Sequence, residues 1–244
     1  MTSPLAPGAT VATATDVDYF GPAEDALPIE TRLRARLPRG VSLAIAKIRS
    51  GADAKRVLAE HANRFPEEAA LIARAVPKRV FECLASRELA RRLLAEQGGP
   101  SCAILHGGRR EPLWPEGFVG SIAHSDGLVV VVLARSERYA SLGVDLEPNQ
   151  PLPKDVLNHV ALPGEVDDAP APRAIFVVKE TFYKAHHHLH GRFLDFPDVR
   201  VHFSGEDWSA TELLPPEDAI GPTTFGGITA TTSEWVAAFC AVVR

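Results

Sequence analysis

Residues 141–147 read SLGVDLE. Alternate residues of a β-strand point to the same face, so the apolar residues of this stretch share one face. Asp145 and Glu147 then lie side by side on the opposite face. The stretch therefore predicts a strand that ends in a pair of carboxylates.

A second segment further along the chain, residues 176–186, reads FVVKETFYKAH. Its apolar residues recur at helical spacing, and Lys184 follows Glu180 by one turn, so a carboxylate and an ammonium share one helix face. With Asp145 and Glu147, this makes three carboxylates and no thiolate or imidazole. Such a set suits Mg²⁺, and also Mn²⁺, because hard cations prefer oxygen ligands and share them with phosphate. The two segments predict a metal-and-phosphate site, with lysines facing the phosphate.

Each part of this pattern also has an ordinary structural explanation. Asp145 and Glu147 could end a strand at a polar turn, since Pro-Asn follows at once. Glu180 and Lys184 could form a common i,i+4 helix pair. The cluster HHHLH at residues 186–190 is interpreted as a helix end, where the dipole favours imidazolium, and not as a transition-metal site.

A third segment, LWPEGFVGSIAHSDG at residues 113–127, precedes the apolar run LVVVVLA. Taken in order, WPxGxxGSxxH, GVDLE and KExxYKA resemble the 4′-phosphopantetheinyl transferases. The resemblance is to the large pseudo-dimeric branch that activates siderophore, nonribosomal peptide and polyketide synthases. FPEE at 65–68, KRVFECLASRELAR at 78–91 and GRFLDFPDVRVHF at 191–203 extend it, so that it covers about residues 60 to 205.

Strands mixed with long helices indicate an α+β protein. The resemblance implies two similar α+β halves related by a pseudo-twofold, with coenzyme A bound in the cleft between them. The polar break ARSERY sets the predicted boundary, with an N-terminal half at residues 1–135 and a C-terminal half at 136–244. Strands are predicted at about 9–17, 41–48, 127–134, 141–147, 199–203, 208–214 and 234–243, and helices near 53–64, 66–96 and 173–188.

The reaction implied by the resemblance is transfer of 4′-phosphopantetheine from coenzyme A to a serine of an apo acyl or peptidyl carrier protein, with release of 3′,5′-ADP. Asp145, Glu147 and Glu180 would hold Mg²⁺ at the pyrophosphate. Glu180 would also be the general base, directly or through a water. Lys184 would offset charge on the pyrophosphate in the transition state.

The same resemblance assigns a set of contacts to coenzyme A, namely Arg79, Arg87, His106, Ser121, His124, Asp145, Lys179 and Lys184. The two arginines and His124 would hold the 3′-phosphate and nearby groups, the arginines by bidentate hydrogen bonds. His106 departs from the family, since related sequences often carry a lysine at that position. A histidine contacts phosphate most strongly when protonated, so this departure predicts weaker or more pH-dependent cofactor affinity.

Two other functions compete with this one. A metal-dependent phosphodiesterase or nuclease also uses Asp-x-Glu and a lysine, but such sites usually place the lysine two residues after the acid on one strand, where this chain has Asn149. A net charge of −5 also lacks the basic surface that a nucleic acid demands. A non-catalytic relative that binds coenzyme A or carrier protein is the third possibility, which the intact acidic and basic motif residues disfavour.

Composition and sequence pattern indicate where in the cell we expect the protein to be. The chain of 244 residues is long enough for one large or two small cores. Cys83, Cys102 and Cys240 have no pair spacing, which is typical of reduced thiols. The first residues do not show the basic start and continuous apolar stretch typical of a signal peptide, and the longest apolar run, residues 128–134, is too short to span a bilayer. We therefore expect a cytoplasmic protein with no membrane partner, and a monomer, because both halves are in one chain.

Overall fold

A computed structural model of the chain describes residues 19–49, 51–215 and 223–244. The strand predicted at residues 9–17 lies outside these ranges. Within them the protein is α+β, as predicted, and contains two antiparallel sheets, each packed against a long helix.

The first sheet has its strands in the order β1-β2-β4-β3. These strands are β1 (Phe20–Gly21), β2 (Ser42–Ile48), β3 (Phe118–Ser125) and β4 (Leu128–Arg135). The helices of this part of the chain are α1 (Leu27–Arg34), α2 (Ala54–Ala62), α3 (Pro66–Ile72) and α4 (Pro77–Glu96). The long helix α4 packs against β2 and β4.

The second sheet has the order β5-β9-β8-β7-β6. Its strands are β5 (Tyr139–Pro148), β6 (Val199–Ser204), β7 (Asp207–Glu212), β8 (Thr224–Thr231) and β9 (Trp235–Val243). Two helices accompany it, α5 (Lys154–Val160) and α6 (Ala174–His190). α6 packs against β5 and β9 and ends at Gly191, which has a left-handed φ of 63° and donates its N–H to the His187 carbonyl.

Strand β4 is buried on both faces, which explains its continuous apolar sequence. Val129, Val131 and Leu133 lie in a core shared with α4. Val130 and Val132 lie in a second core, which contains Leu142, Val144 and Leu146 of β5. The two halves of the protein are therefore joined through a common hydrophobic layer between their sheets.

Two features differ from the sequence predictions. The helix predicted at 66–96 is divided into α3 and α4, because Val76 precedes Pro77 and adopts an extended conformation with ψ of 153°. The strands β1, β3 and β8 and the helices α1 and α5 were not predicted. In β3 and β8, glycines interrupt the alternation that identifies a strand from sequence.

The strands of the first sheet precede Ser136 and those of the second sheet follow it. The domain boundary at residue 135 stays a prediction. None of the helices in the described residues is both long enough and apolar enough to cross a membrane.

Candidate active site

A cavity of about 290 Å³ opens between the two halves of the protein. Its lining from the first half is Arg79, Ser86 and Arg87 of α4, Arg110 and Pro112 of a loop, and Ile122, Ala123 and His124 of β3. Its lining from the second half is Asp145 and Glu147 of β5 and Phe176, Glu180 and Lys184 of α6. Cationic groups from one half thus face carboxylates from the other.

One wall of the cavity, here called the acidic wall, consists of Asp145, Glu147 and Glu180. It is formed where β5 and α6 approach closely. Gly143 makes this approach possible, because a Cβ at this position would lie 2.1 Å from the Thr181 carbonyl oxygen of α6. Any larger residue would push the helix away from the strand. The glycine of the SLGVDLE stretch therefore allows Glu180 to face the same cavity as Asp145 and Glu147.

All three carboxylates have raised pKa values. Burial raises the pKa of Asp145, although Lys184 opposes the shift. Burial raises the pKa of Glu147, and the charge of Asp145 raises it further. Burial also raises the pKa of Glu180, where Lys184 opposes the shift and the other two carboxylates add to it. A set of oxygen donors that repel one another is a suitable environment for a hard cation.

Two cationic side chains pair with two of the three carboxylates of this wall. Lys184 Nζ donates to Asp145 Oδ1 at 2.8 Å and to the Val144 carbonyl at 3.1 Å. Arg173 Nη1 donates to Glu147 Oε2 at 3.1 Å. Asp145 Oδ2 is buried and has no hydrogen-bond partner in the part of the chain that the structure describes.

The three carboxylates are not arranged as a preformed metal-binding site. Among the described residues, no group of three His, Cys, Asp or Glu side chains is placed to hold a metal ion. The chemistry of the set nevertheless fits Mg²⁺: it offers oxygen donors, one of them buried without a partner, and like charges that a cation would relieve.

The opposite wall of the cavity, here called the cationic wall, consists of Arg79, Arg87 and, at its centre, His124. Its Nε2 lies 2.5 Å from Arg79 Nη1, and its Nδ1 lies 3.6 Å from Glu82 Oε2. Burial lowers the pKa of His124, and the charge of Arg79 lowers it further, although Glu82 opposes both. Because a guanidinium can only donate, a neutral His124 accepts from Arg79 at Nε2 and carries its own proton on Nδ1, on the side of Glu82.

Arg87 is buried beside this wall. Its Nε donates to the Ile104 carbonyl at 3.2 Å and its Nη1 donates to Ser86 Oγ at 3.2 Å. The guanidinium is therefore held at the cavity lining by backbone and hydroxyl contacts, and no carboxylate of the described residues forms an ion pair with it. A buried arginine held in this way is well placed to bind a phosphate.

Sequence reasoning missed Arg110 and Arg173. Arg110 lies on an exposed loop with a left-handed φ of 69° and lines both the main cavity and an adjoining one of about 190 Å³. The Arg-Arg pair at 109–110 was a signal for it. Arg173 immediately precedes α6, and no motif marks it, because its partner Glu147 is distant in sequence.

Three predicted contacts do not line the main cavity. Lys179 is buried elsewhere, where its Nζ lies 3.0 Å from Glu165 Oε2 and donates to the Val160 carbonyl at 2.8 Å. Ser121 lines the adjoining cavity, and its Oγ accepts a hydrogen bond from the Val144 N–H at 3.2 Å, which ties β3 to β5. His106 lies next to the lining residue Pro112, with which it forms a β-bridge.

The histidine cluster after the KExxYKA motif is partly internal. His186 is fully buried, and its Nε2 lies 3.1 Å from Glu212 Oε2. Burial lowers the pKa of His186 despite that partner. Desolvation of His186 therefore acts against the imidazolium form that the helix dipole favours.

Comparison with known proteins identifies one family to which this chain is similar. The family model of the 4′-phosphopantetheinyl transferase N-terminal domain matches residues 67–134. The 4′-phosphopantetheinyl transferase Svp of Streptomyces mobaraensis is 40% identical over 168 residues, which are 64% of this chain and 68% of Svp. The transferase Npt of Nocardia iowensis is 39% identical over 183 residues, 69% of this chain and 81% of Npt.

The transferase PptT of Mycobacterium tuberculosis is 38% identical over 175 residues, which are 68% of this chain and 77% of PptT. This chain therefore belongs to the 4′-phosphopantetheinyl transferases, with the pseudo-dimeric fold of two α+β halves, and transfers phosphopantetheine to carrier proteins.

Proposed function

We propose that the cavity between the halves binds coenzyme A and Mg²⁺ and transfers 4′-phosphopantetheine to a serine of an apo acyl or peptidyl carrier protein. One observation carries the proposal: three carboxylates on β5 and α6 face a cationic wall on α4 and β3 across one cavity. A substrate that is a phosphate ester at one end and a pyrophosphate in the middle needs both walls.

The cationic wall binds the nucleotide end of coenzyme A. Arg79, Arg87 and His124 line the same side of the cavity and would hold the 3′-phosphate and its neighbours. The exposed guanidinium of Arg110 is available to the same end from the loop. Lys184 lies between the two walls and would contact the pyrophosphate.

The acidic wall holds the metal. Asp145, Glu147 and Glu180 would be its protein ligands, and Mn²⁺ would suit the same oxygen donors. When bound, Mg²⁺ supplies neutralisation of the charge that develops on the pyrophosphate oxygens. Lys184 and Arg173 pair with Asp145 and Glu147 and so offset two of the three negative charges before the substrate arrives.

The reaction is attack of an alcohol on phosphorus. The serine oxygen bonds to the phosphorus that carries the pantetheine arm, and the bond from that phosphorus to the bridging oxygen of 3′,5′-ADP breaks. Glu180 takes the proton of the serine hydroxyl. Before a metal binds, burial and the neighbouring carboxylates raise the pKa of Glu180, while Lys184 opposes the shift.

The carrier proteins would be those of nonribosomal peptide, polyketide or siderophore synthases. Both walls of the cavity come from one chain, which supports a monomer as the active species. The two sheets support halves at residues 1–135 and 136–244. A cytoplasmic location fits this set of substrates.

The direct test is the intact mass of the carrier. The purified protein is incubated with coenzyme A, Mg²⁺ and a panel of apo carrier proteins, and a gain of about 340 Da that disappears with chelator is expected. Unchanged carrier masses together with steady release of 3′,5′-ADP would instead indicate a hydrolase.

Glu180→Gln separates catalysis from binding. We expect transfer to fall by about 10²-fold or more, since a general base typically contributes that much, while the Kd for coenzyme A stays within a few fold. Glu137→Gln, an exposed carboxamide substitution in the turn after β4, is the matched control. Full activity of Glu180→Gln would refute the assignment of the base.

A further inference from the structure

A buried cluster of charged side chains lies outside the cavity, between α2, α3 and α4. Glu68 Oε2 lies 2.7 Å from His61 Nε2, and Glu68 Oε1 accepts from Arg91 Nη1 at 2.7 Å. All three side chains are almost completely buried, Glu68 with only 1% of its surface exposed. Arg91 also lies over the ring of Phe65, 3.9 Å from its centroid.

The cluster reaches the cavity through one residue. Glu68 Oε1 accepts a second hydrogen bond from the Ile104 N–H at 2.6 Å, and the Ile104 carbonyl accepts from Arg87 Nε at 3.2 Å. Ile104 itself is fully buried. Glu68 therefore fixes the backbone N–H of the same residue whose carbonyl orients a cavity arginine.

The loop that follows Ile104 depends on the same anchor. Its two sides are joined by hydrogen bonds from Leu113 N–H to the Leu105 carbonyl and from Gly107 N–H to the Glu111 carbonyl, both 2.9 Å long. Arg110 and Pro112, in the second part of this loop, line the cavity. The position of the loop is thus set at its base, next to Ile104.

Packing alone does not require this cluster. Apolar residues of similar volume can replace a buried ion pair without loss of stability, because charges must be desolvated. Burial alone would raise the pKa of Glu68, but the hydrogen bond of His61, the charge of Arg91 and the Ile104 N–H together lower it. Charged side chains form directional hydrogen bonds to one particular backbone group, which an apolar cluster cannot do.

We propose that Glu68, held by His61 and Arg91, is a positioning residue that sets Arg87 and the loop of residues 105–113 for the 3′-phosphate end of coenzyme A. This inference rests on the proposed function. It adds a residue that does not line the cavity and acts only through Ile104.

The test compares coenzyme A with 3′-dephospho-coenzyme A, because only the first carries the group that Arg87 would bind. In Glu68→Gln, calorimetric Kd for coenzyme A should rise about tenfold, while Kd for 3′-dephospho-coenzyme A should change less than about twofold. In carrier assays, KM for coenzyme A should rise while kcat stays within about twofold. Glu67→Gln, an exposed neighbour on α3, should match the unmodified chain in both measurements.

A double-mutant cycle tests the route through Arg87. In an Arg87→Ala background, Glu68→Gln should add less than about twofold to Kd, because the arginine that it positions is gone. Additive effects, or equal weakening of both ligands by Glu68→Gln, would overturn the inference. A lower melting temperature with unchanged KM would likewise show a purely structural role.

Glu68→Asp is the second variant if Glu68→Gln does not fold. It keeps the charge but shortens the reach to Ile104, so a smaller loss selective for the 3′-phosphate is expected, and no selectivity would overturn the inference. Binding measurements on the unmodified chain show whether the proposed function fails or only this inference fails. If it does not bind coenzyme A, the proposed function fails; if it binds with a strong preference for the 3′-phosphate and Glu68→Gln leaves that preference intact, only this inference fails.

Discussion

Lys184 Nζ lies 2.8 Å from Asp145 Oδ1, while Oδ2 of the same carboxylate is buried without a hydrogen-bond partner among the described residues. A buried polar atom left unpaired costs about 1–3 kcal/mol. A cation at Oδ2 would remove this cost without displacing Lys184. The pair thus leaves one oxygen of Asp145 for a metal and keeps the ammonium close to where a pyrophosphate would lie.

Lys184→Met should reduce transfer strongly, because it removes the only ammonium that lines the main cavity among the described residues. We expect kcat to fall by about 10²- to 10³-fold, as for loss of one preorganised group that stabilises transition-state charge. The measurement is the initial rate of carrier modification. Lys55→Met, an exposed substitution on α2, is the control, and a Lys184→Met rate within about threefold of the control would contradict the role.

Gly143→Ala should disrupt the site through the backbone. Its Cβ would meet the Thr181 carbonyl at 2.1 Å, and a backbone atom cannot move aside as a flexible side chain can. We expect a loss of stability of about 1–3 kcal/mol or more, with weakened metal-dependent activity, because α6 must move from β5. Chemical denaturation measures the effect.

Gly226→Ala is the matched control for this prediction. Gly226 also lies in a strand of the second sheet, but its Cβ would be 3.5 Å from the nearest atom, the Trp208 carbonyl oxygen. Equal stability of the two alanine variants would show that the contact between β5 and α6 adjusts freely.

Arg173→Ala should tighten metal binding. Arg173 Nη1 lies 3.1 Å from Glu147 Oε2, so the guanidinium competes with a metal for that carboxylate. Titration calorimetry with Mg²⁺ or Mn²⁺, without coenzyme A, should show a several-fold lower Kd. Arg74→Ala, an exposed arginine after α3, is the control. Weaker binding in Arg173→Ala would mean that the arginine orients Glu147 for the metal.

Glu68 should also contribute acid-sensitive stability. Its pKa in the folded protein is lowered from the ordinary 4.5, because His61, Arg91 and the Ile104 N–H outweigh burial. A carboxyl with a lowered folded pKa stabilises the protein above its unfolded pKa and loses that contribution as the pH falls through the folded value. The unfolding free energy of the unmodified chain should therefore exceed that of Glu68→Gln near pH 7, and the difference should shrink below about pH 4.5.

Urea denaturation at several pH values measures that difference. Taking the difference between the two proteins removes the opposite contribution of the cavity carboxylates, whose folded pKa values are raised. A difference that does not change with pH would show that the charge of Glu68 is not what stabilises the cluster.

Much of the acidic wall follows from local pattern. Alternation in SLGVDLE places Asp145 and Glu147 on one face of a strand, and one helical turn joins Glu180 to Lys184; the structure has both elements in these places. The ordered motifs also identified the family, which the relatives confirm. These features depend on neighbours within a few residues, so they can be read without knowing the fold.

The position of Lys179 could not be predicted from local sequence pattern. A helix turns about 100° per residue, so Lys179 and Lys184, five positions apart, point in clearly different directions. Periodicity shows that they differ but not which of them faces the substrate. In the structure, Glu165 pairs with Lys179 and buries it, while Lys184 remains beside β5.

Arg173 and the chain of contacts from Glu68 through Ile104 to Arg87 required the tertiary structure. Their partners come from other elements or from distant points of the chain, as with Glu147 for Arg173 and Ile104 for Glu68. Local sequence specifies the side of an element on which a residue lies. What covers that side depends on how the two sheets and their helices pack, and this long-range packing gives each buried charge its partner.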